Sequence, residues 1–194
     1  AGIGKAMADI MTSAGAMVFS RSRSNGCDIS NEQDVRNAVS EAQKTLGGLD
    51  VVVNAAGLLK KHSLKDQSSE DIAAQININL LGAAWIAKWS HAPLKQSQGT
   101  LLQFASSSYT RGRADYVIYS ATKAAIVNMT QGLSEEWAAD GIRVNCIIPG
   151  RTDTEMRRAN FENEEQSSLC NPYQVALSAT KALCARMNGQ LERV

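Results

Sequence analysis

The stretch Leu49-Asp50-Val51-Val52-Val53-Asn54-Ala55-Ala56-Gly57 decides the fold of this chain. A short, valine-rich apolar run bounded by turn residues is typical of a strand buried on both faces of a sheet. It follows an amphipathic segment of helical length that ends at Gly47-Gly48, and a second helical segment comes after it. A buried strand between two helices indicates a βαβ unit, in which neighbouring strands run parallel.

The same alternation extends along the whole chain. The sequence predicts an α/β fold: a Rossmann-like, doubly wound parallel sheet with helices on both faces, forming a single domain over residues 1–194. The N-terminal strand is missing, since the glycine-rich turn at Gly2 has no strand before it, as in a truncated chain or the C-terminal part of a longer one. The predicted helices are 6–13, 31–46, 69–90, 116–140 and 172–187, and the predicted strands are 16–19, 49–53, 100–105, 142–148 and 190–194.

Composition excludes several classes of protein. Of the 194 residues, 44% are hydrophobic and 20% charged, and the net charge of +1 favours neither nucleic acid nor an anionic membrane as a partner. There is no apolar run of about 18 residues that would span a membrane, and no signal peptide opens the chain. The four cysteines lack the spacing of a metal site, so we expect no metal and a cytoplasmic protein with reduced thiols.

Two short segments favour a nucleotide site. Gly2-Ile3-Gly4 lets the backbone approach a pyrophosphate closely at a helix N-terminus. Ser20, Arg21 and Arg23 follow the predicted strand 16–19, where an acidic residue would select NAD. Hydroxyls and guanidiniums suit the 2′-phosphate of NADP instead, although a solvated loop would have the same composition.

Tyr119 and Lys123 lie four residues apart, on one face of a predicted helix. An ammonium about 4 Å from the phenol, at an effective dielectric of roughly 20, favours the phenolate by about 4 kcal/mol. This predicts a tyrosine pKa lowered by about three units. Such a phenol exchanges a proton with a carbonyl oxygen as a hydride reaches carbon. Taken alone, a YxxxK pair is common and mostly structural.

Besides the YxxxK pair, six motifs in chain order resemble those of the short-chain dehydrogenase/reductase family. Tyr119 and Lys123 resemble its YxxxK pair, Ser106 stands thirteen residues earlier, where the family places its serine, and Asn79 resembles its catalytic asparagine. The first glycine of the family's turn is absent. The resemblance implies that the cofactor is bound by Gly2-Ile3-Gly4, Asp28-Ile29, Asn54-Ala55-Ala56-Gly57, and Pro149-Gly150 with Thr152 and Thr154.

The resemblance also implies a role for each matched side chain. Tyr119 is expected to be the general acid/base, and Lys123 to lower its pKa and to bond the nicotinamide ribose. Ser106 would orient the substrate oxygen, and Asn79 would hold a water in a proton relay. The cofactor, NADP(H) in preference to NAD(H), carries the hydride, and the family implies a homodimer or homotetramer.

A narrower resemblance concerns the substrate. The stretch from Ser106 to Arg113 looks like the reductase half of bifunctional bacterial proteins that make CDP-ribitol for capsules. It implies NADP(H)-dependent reduction of D-ribulose 5-phosphate to D-ribitol 5-phosphate, and Arg151 is the foremost phosphate ligand. The alternatives are an NAD-dependent dehydrogenase of another alcohol or diol, a non-catalytic cofactor-binding scaffold and, for the arginines, a solvated basic face. The expected substrate-binding residues are Ser107, Arg111, Arg113, Arg151 and Arg157.

Overall fold

The helices and strands alternate as the sequence predicts, in a computed structural model that describes residues 2–185 and 187–194. Ala1 and Arg186 lie outside the described residues, so the predicted helix 172–187 is not tested at residue 186. In chain order the elements are α1 (Gly2–Ser13), α2 (Glu32–Leu46), β1 (Val51–Asn54), α3 (Ser69–Ile76), α4 (Gly82–Ser97), β2 (Thr100–Phe104), α5 (Val117–Glu136), β3 (Arg143–Ile148), α6 (Glu155–Asn160), α7 (Pro172–Cys184) and β4 (Leu191–Arg193).

The four strands form one parallel sheet in the order β1-β2-β3-β4. Thr100 of β2 pairs with Val51 of β1 on one side and with Arg143 of β3 on the other. All four carboxyl ends therefore meet at one edge, which we call the carboxyl edge. This confirms the predicted Rossmann-like parallel sheet.

Helices cover both faces of the sheet. Phe104 and Ile147 point to the face that α1 and α7 cover, whereas Leu101 and Val144 point to the face that α4 and α5 cover. Each strand lies next to the preceding one, on the same side of it throughout the sheet. The connections β1–β2 and β2–β3 run through α4 and α5 on one face, whereas the connection β3–β4 runs through α7 on the opposite face. The β3–β4 connection therefore has the opposite hand to the two before it, so the usual right-handed rule is broken at least once.

The predicted strand 16–19 is wrong. These residues form no ladder, and Met17 and Val18 are 74% and 36% exposed. A strand needs a neighbour to accept and donate its backbone hydrogen bonds. β1 is the edge strand of the described sheet, and no described strand lies between it and this segment.

Helix ends follow local signals. The Asn31 side chain accepts hydrogen bonds from the Gln33 and Asp34 amides at the start of α2, and Gly47 ends the helix with a φ of 77°. The predicted helical region 69–90 extends to Ser97 and contains a π-helical turn, Asn77–Leu81, between α3 and α4. Within the described residues, no helix combines the length and the apolar character that crossing a membrane requires.

Candidate active site

The glycine-rich segments of the chain meet at the carboxyl edge. A β-carbon added to Gly4 would lie 3.1 Å from the Ala55 β-carbon, and one added to Gly2 would lie 3.4 Å from the Thr154 methyl group. A β-carbon on Gly57 would lie 3.5 Å from the Lys123 Nζ atom. Three of the segments predicted to bind cofactor are thus brought together, although they are far apart in sequence.

The glycine-rich segment belongs to helix α1 rather than preceding it. The predicted start of this helix at residue 6, after a turn, is wrong, because α1 begins at Gly2. Gly2 has a φ of +63°, a conformation that favours glycine. The first amides of α1 therefore lie beside Ala55 and Thr154, where they could donate to an anion.

Backbone hydrogen bonds join the loops that follow β2 and β3. The Ser107 amide donates to the Pro149 carbonyl at 3.2 Å, and the Gly150 amide donates to the Val194 carbonyl at 2.7 Å. Thr152 is buried, and its hydroxyl donates to the Gly150 carbonyl at 3.2 Å. These bonds hold the predicted cofactor segment 149–154 beside the predicted catalytic serine.

Buried Tyr119 and half-buried Ser106 are neighbours at this edge. The tyrosine is 7% exposed on α5, and Ser106 follows β2. The Ser106 oxygen accepts from the Ser108 amide at 3.3 Å and from the Ser108 hydroxyl at 3.2 Å. Ser108 belongs to the loop predicted to be functional, but no role of its own was predicted for it.

Lys123 is buried directly behind the tyrosine. Its Nζ atom donates to the Phe104 carbonyl at 2.8 Å and lies 5.6 Å from the centre of the Tyr119 ring. Burial lowers the pKa of Lys123 to about 8, because the interior disfavours an ammonium. The lysine is thus predominantly charged at pH 7 and loses its proton in mildly alkaline solution.

The predicted lowering of the tyrosine pKa is wrong. Burial raises the pKa of Tyr119 to about 12, and the Ser106 hydroxyl and the Arg157 charge offset only part of that rise. The lowering expected from an ammonium at about 4 Å applies to a solvated pair and leaves out the desolvation of the phenolate. In this structure the phenol is therefore protonated throughout the neutral range.

Asn79 lies at the centre of the π-helical turn and is 2% exposed. Its side-chain oxygen accepts from the Leu58 amide at 2.7 Å, and its nitrogen donates to the Leu58 carbonyl at 2.8 Å and to the Thr122 hydroxyl at 3.1 Å. Thr122, which the sequence analysis missed, donates in turn to the Tyr119 carbonyl at 2.8 Å. π-Helical turns concentrate at functional sites, and this one links the loop after β1 to the Tyr119 helix.

A short helix and an aromatic ring lie over the tyrosine. Thr154 caps α6, and the Asn160 side chain accepts from the Lys61 amide at 2.9 Å, which joins the end of α6 to the loop after β1. The next residue, Phe161, makes an edge contact with Tyr116, whose ring centre lies 6.3 Å from that of Tyr119. No site role was predicted for Tyr116 or Phe161.

The predicted substrate-binding arginines fall into two groups. Arg157 forms a bidentate pair with Glu164, both contacts at 2.6 Å, and Arg151 reaches the same carboxylate at 3.3 Å. Arg111 and Arg113 make no ion pair within the described residues. Arg151, the predicted foremost phosphate ligand, therefore shares one carboxylate with Arg157, which holds it by two shorter contacts.

The predicted 2′-phosphate segment is exposed. Arg21 pairs with Glu41, and its guanidinium lies 4.2 Å from the centre of the Phe19 ring. Hydrogen bonds from Ser30, helped by the nearby charge of Arg23, hold the pKa of Asp28 below its ordinary value. Arg23 therefore lies close to the predicted adenine-contacting pair that begins at Asp28.

These features fit a dinucleotide. The amides at the start of α1 suit a pyrophosphate. A β-carbon on Gly4 would lie 3.1 Å from the Ala55 methyl group, so these two positions suit small residues. Lys123 and Asn79 lie beside Gly57, and Lys123 also bonds the Phe104 carbonyl two residues before Ser106, so a cofactor bound along these loops would reach the tyrosine.

Comparison with known proteins places the chain in a family. The family model described as short chain dehydrogenase matches residues 21–165. The bifunctional ribulose 5-phosphate reductase/CDP-ribitol pyrophosphorylase Bcs1 of Haemophilus influenzae is 40% identical over 190 residues, which cover 98% of this chain and 40% of that protein. The chain thus spans about two fifths of that relative's length. An uncharacterized oxidoreductase of Staphylococcus aureus (strain N315) is 31% identical over 201 residues, which cover 94% of this chain and 86% of that protein.

Solved structures agree with this assignment. A short chain dehydrogenase from Burkholderia cenocepacia J2315, in complex with NADP, superposes with a TM-score of 0.87 at 28% identity and covers 100% of this chain and 91% of its own. ElxO with NADP bound shares the fold, with a TM-score of 0.89 at 23% identity over 100% of this chain and 92% of its own. The chain therefore belongs to the short chain dehydrogenase family and is an NAD(P)-dependent oxidoreductase.

Proposed function

We propose that this protein reduces D-ribulose 5-phosphate to D-ribitol 5-phosphate with NADPH, as a step towards CDP-ribitol for capsule synthesis. One observation carries the reductase chemistry: Tyr119, Ser106 and Lys123 meet in the interior of the carboxyl edge, where the predicted cofactor segments converge. The substrate is supported by the likeness to the ribulose 5-phosphate reductase of Haemophilus influenzae. The nearly complete coverage of this chain makes that relative an informative guide.

Tyr119 is the proton donor in this proposal. With its pKa raised to about 12, the phenol is protonated at neutral pH and can give its proton to a carbonyl oxygen. The Ser106 hydroxyl, which lies beside the phenol, would donate to the same oxygen and orient it. Reduction is the direction that this protonation state favours, because oxidation of the alcohol would require a phenolate as base.

Lys123 stabilises the charge that develops on Tyr119. A bound NADPH would supply the hydride. The residues that would hold its nicotinamide half are Lys123, Pro149, Gly150 and Thr152, and its phosphates would meet the start of α1 at Gly2, Ile3 and Gly4. Asn79 positions the loop after β1, through both of its hydrogen bonds to Leu58.

Replacing the tyrosine tests the chemistry. We expect Tyr119→Phe, in the full-length protein, to lower kcat for NADPH oxidation with D-ribulose 5-phosphate by about 100-fold or more, as loss of a general acid does. NADPH affinity should be retained. Tyr173→Phe is the matched control, because that exposed phenol bonds Asp9 on α1 and none of Ser106, Lys123 and Asn79. Unchanged turnover of Tyr119→Phe would remove the tyrosine from the mechanism, and a wild-type protein inactive on this sugar phosphate would refute the substrate.

NADP(H) is the proposed cofactor, held through its 2′-phosphate by Ser20, Arg21 and Arg23. The pairing of Arg21 with Glu41 supports a second candidate, an NAD-dependent dehydrogenase of another alcohol or diol, since a paired guanidinium is less available to a phosphate. Dissociation constants for NADPH and NADH decide between them. Replacing both arginines by glutamine should weaken NADPH binding selectively, and equal affinities before and after would contradict the proposal.

We also propose that the protein is a homodimer or homotetramer in the cytoplasm. Ile76, Leu81 and Val117 are 39%, 38% and 42% exposed near the first turns of α4 and α5, and apolar side chains of this size are buried when subunits associate. Sedimentation equilibrium of the full-length protein measures the oligomeric state, and a monomer at micromolar concentration would contradict this expectation.

A further inference from the structure

A cleft of about 240 Å³ opens at the β4 end of the carboxyl edge. Ser107, Tyr109 and Thr110 contribute to it from the turn after β2, Gly150 contributes from the segment after β3, and Arg193 contributes from β4. None of the described residues that line the cleft is acidic. Because Ser106 directly precedes this turn, the cleft adjoins the oxygen-binding end of the proposed active site.

The Arg193 guanidinium has no carboxylate partner within the described residues. It donates a hydrogen bond to the Tyr109 hydroxyl oxygen at 3.0 Å, and its charge lies 5.8 Å from the centre of that ring. Arg151 and Arg157 differ, since both are held by Glu164. Those two arginines share one carboxylate, and Arg157 is held by it at both of its contacts, whereas no described carboxylate lies within ion-pair distance of Arg193.

Hydroxyl groups complete a set of donors around this charge. The Tyr109 oxygen accepts from Arg193, so its own proton can be given to a ligand. Ser107 and Thr110 add two further hydroxyls to the same walls. An arginine with neighbouring hydroxyl donors suits a phosphate monoester, which is doubly charged and accepts several hydrogen bonds.

We propose that this cleft binds the phosphate group of the substrate, with Arg193 as its principal cation and Tyr109 as the residue that orients it. The inference rests on the proposed function for the identity of the sugar phosphate. The cleft is separate from the proposed pyrophosphate site, because Gly4 lies against Ala55 at the β1 end of the sheet and Arg193 belongs to β4 at the other end. Arg193 thus replaces Arg151 as the foremost candidate ligand of the substrate phosphate.

The test compares phosphorylated and unphosphorylated substrates in the full-length protein. Arg193→Gln should raise KM for D-ribulose 5-phosphate by at least about tenfold more than it changes KM for D-ribulose, as loss of a charge-assisted hydrogen bond predicts. NADPH should bind as in the wild type. Inorganic phosphate should inhibit the wild type in competition with the sugar phosphate and should lose that effect in Arg193→Gln. Arg158→Gln, which removes an exposed arginine paired with Asp153, is the matched control.

The outcomes separate this inference from the proposed function. Equal rises in KM for the two substrates, or phosphate inhibition that persists in Arg193→Gln, would overturn the cleft assignment and leave the reductase proposal intact. A wild type that does not reduce D-ribulose 5-phosphate would refute the proposed substrate alone. Calorimetry of inorganic phosphate with wild type and Arg193→Gln would then decide the cleft without turnover. If Arg193→Gln fails to fold, Thr110→Val and Arg193→Lys test the same donors.

Discussion

Replacing Lys123 by methionine should stabilise the protein near neutral pH and lose that advantage in alkali. The Lys123 side chain is 4% exposed, and burial lowers its pKa from an ordinary value of 10.5 to about 8. Between those two values the unfolded chain binds more protons than the folded one, so the stability of the wild type rises with pH across this window. Methionine occupies a similar volume, carries no charge and has no such dependence.

The magnitude follows from the shift. Two and a half pKa units correspond to about 3 kcal/mol of differential ionisation free energy, present in full below pH 8. Between pH 7 and pH 10 most of this penalty disappears, so the wild type should gain about 2 to 3 kcal/mol relative to Lys123→Met. Tyr119 and the cysteines are present in both proteins, and their own titration largely cancels in the difference.

Urea unfolding of both proteins at pH 7 and pH 10 measures this difference. Lys44→Met is the control, because Lys44 is exposed in the last turn of α2 and loses little hydration on folding. A stability difference between wild type and Lys123→Met that is the same at both pH values would refute the reasoning, since the buried ammonium would then carry no desolvation penalty.

Three further predictions concern packing, the protonation of Lys123 and a buried hydrogen bond. Gly82→Ala should destabilise the fold by about 1 to 3 kcal/mol in urea unfolding, because the new β-carbon would lie 2.8 Å from a backbone oxygen. The control Gly132→Ala should not destabilise the fold, because open space surrounds that helical position. Equal losses of stability in the two variants would contradict the packing argument. The rate of carbonyl reduction should fall above about pH 8 as Lys123 loses its proton, and a flat profile from pH 7 to 9 would exclude a charged lysine from the mechanism. Thr122→Val should lower kcat more than it changes KM, because it leaves a buried Asn79 donor unpaired at a cost of about 1 to 3 kcal/mol. Thr122→Ser, which keeps the hydroxyl, should have a normal rate. A normal kcat in the valine variant would show that this hydrogen bond does not position the site.

Local chemistry was sufficient to predict much of this protein. Short apolar runs such as Val51-Val52-Val53, bounded by turn residues, identified strands of a parallel sheet, and Asn31 and Gly47 marked the ends of α2. The spacing of Tyr119 and Lys123 placed them on one helix face, and their order relative to Ser106 indicated the family. These features depend on neighbours in sequence, which is why periodicity and motif order could find them.

Only the tertiary structure decided how the side chains behave. Burial, which depends on the whole packed chain, reversed the predicted pKa shift of Tyr119 and brought the pKa of Lys123 close to neutral pH. Folding placed the Glu164 carboxylate within 3.3 Å of Arg151, although thirteen residues separate them in sequence. The predicted strand at 16–19 failed because a strand requires a partner, and Arg193 became the strongest phosphate candidate because folding left it beside a cleft, without a carboxylate partner among the described residues. Charge compensation and desolvation are properties of neighbours in space, so the sequence alone determined the chemistry available and the fold determined which charges remain free to act.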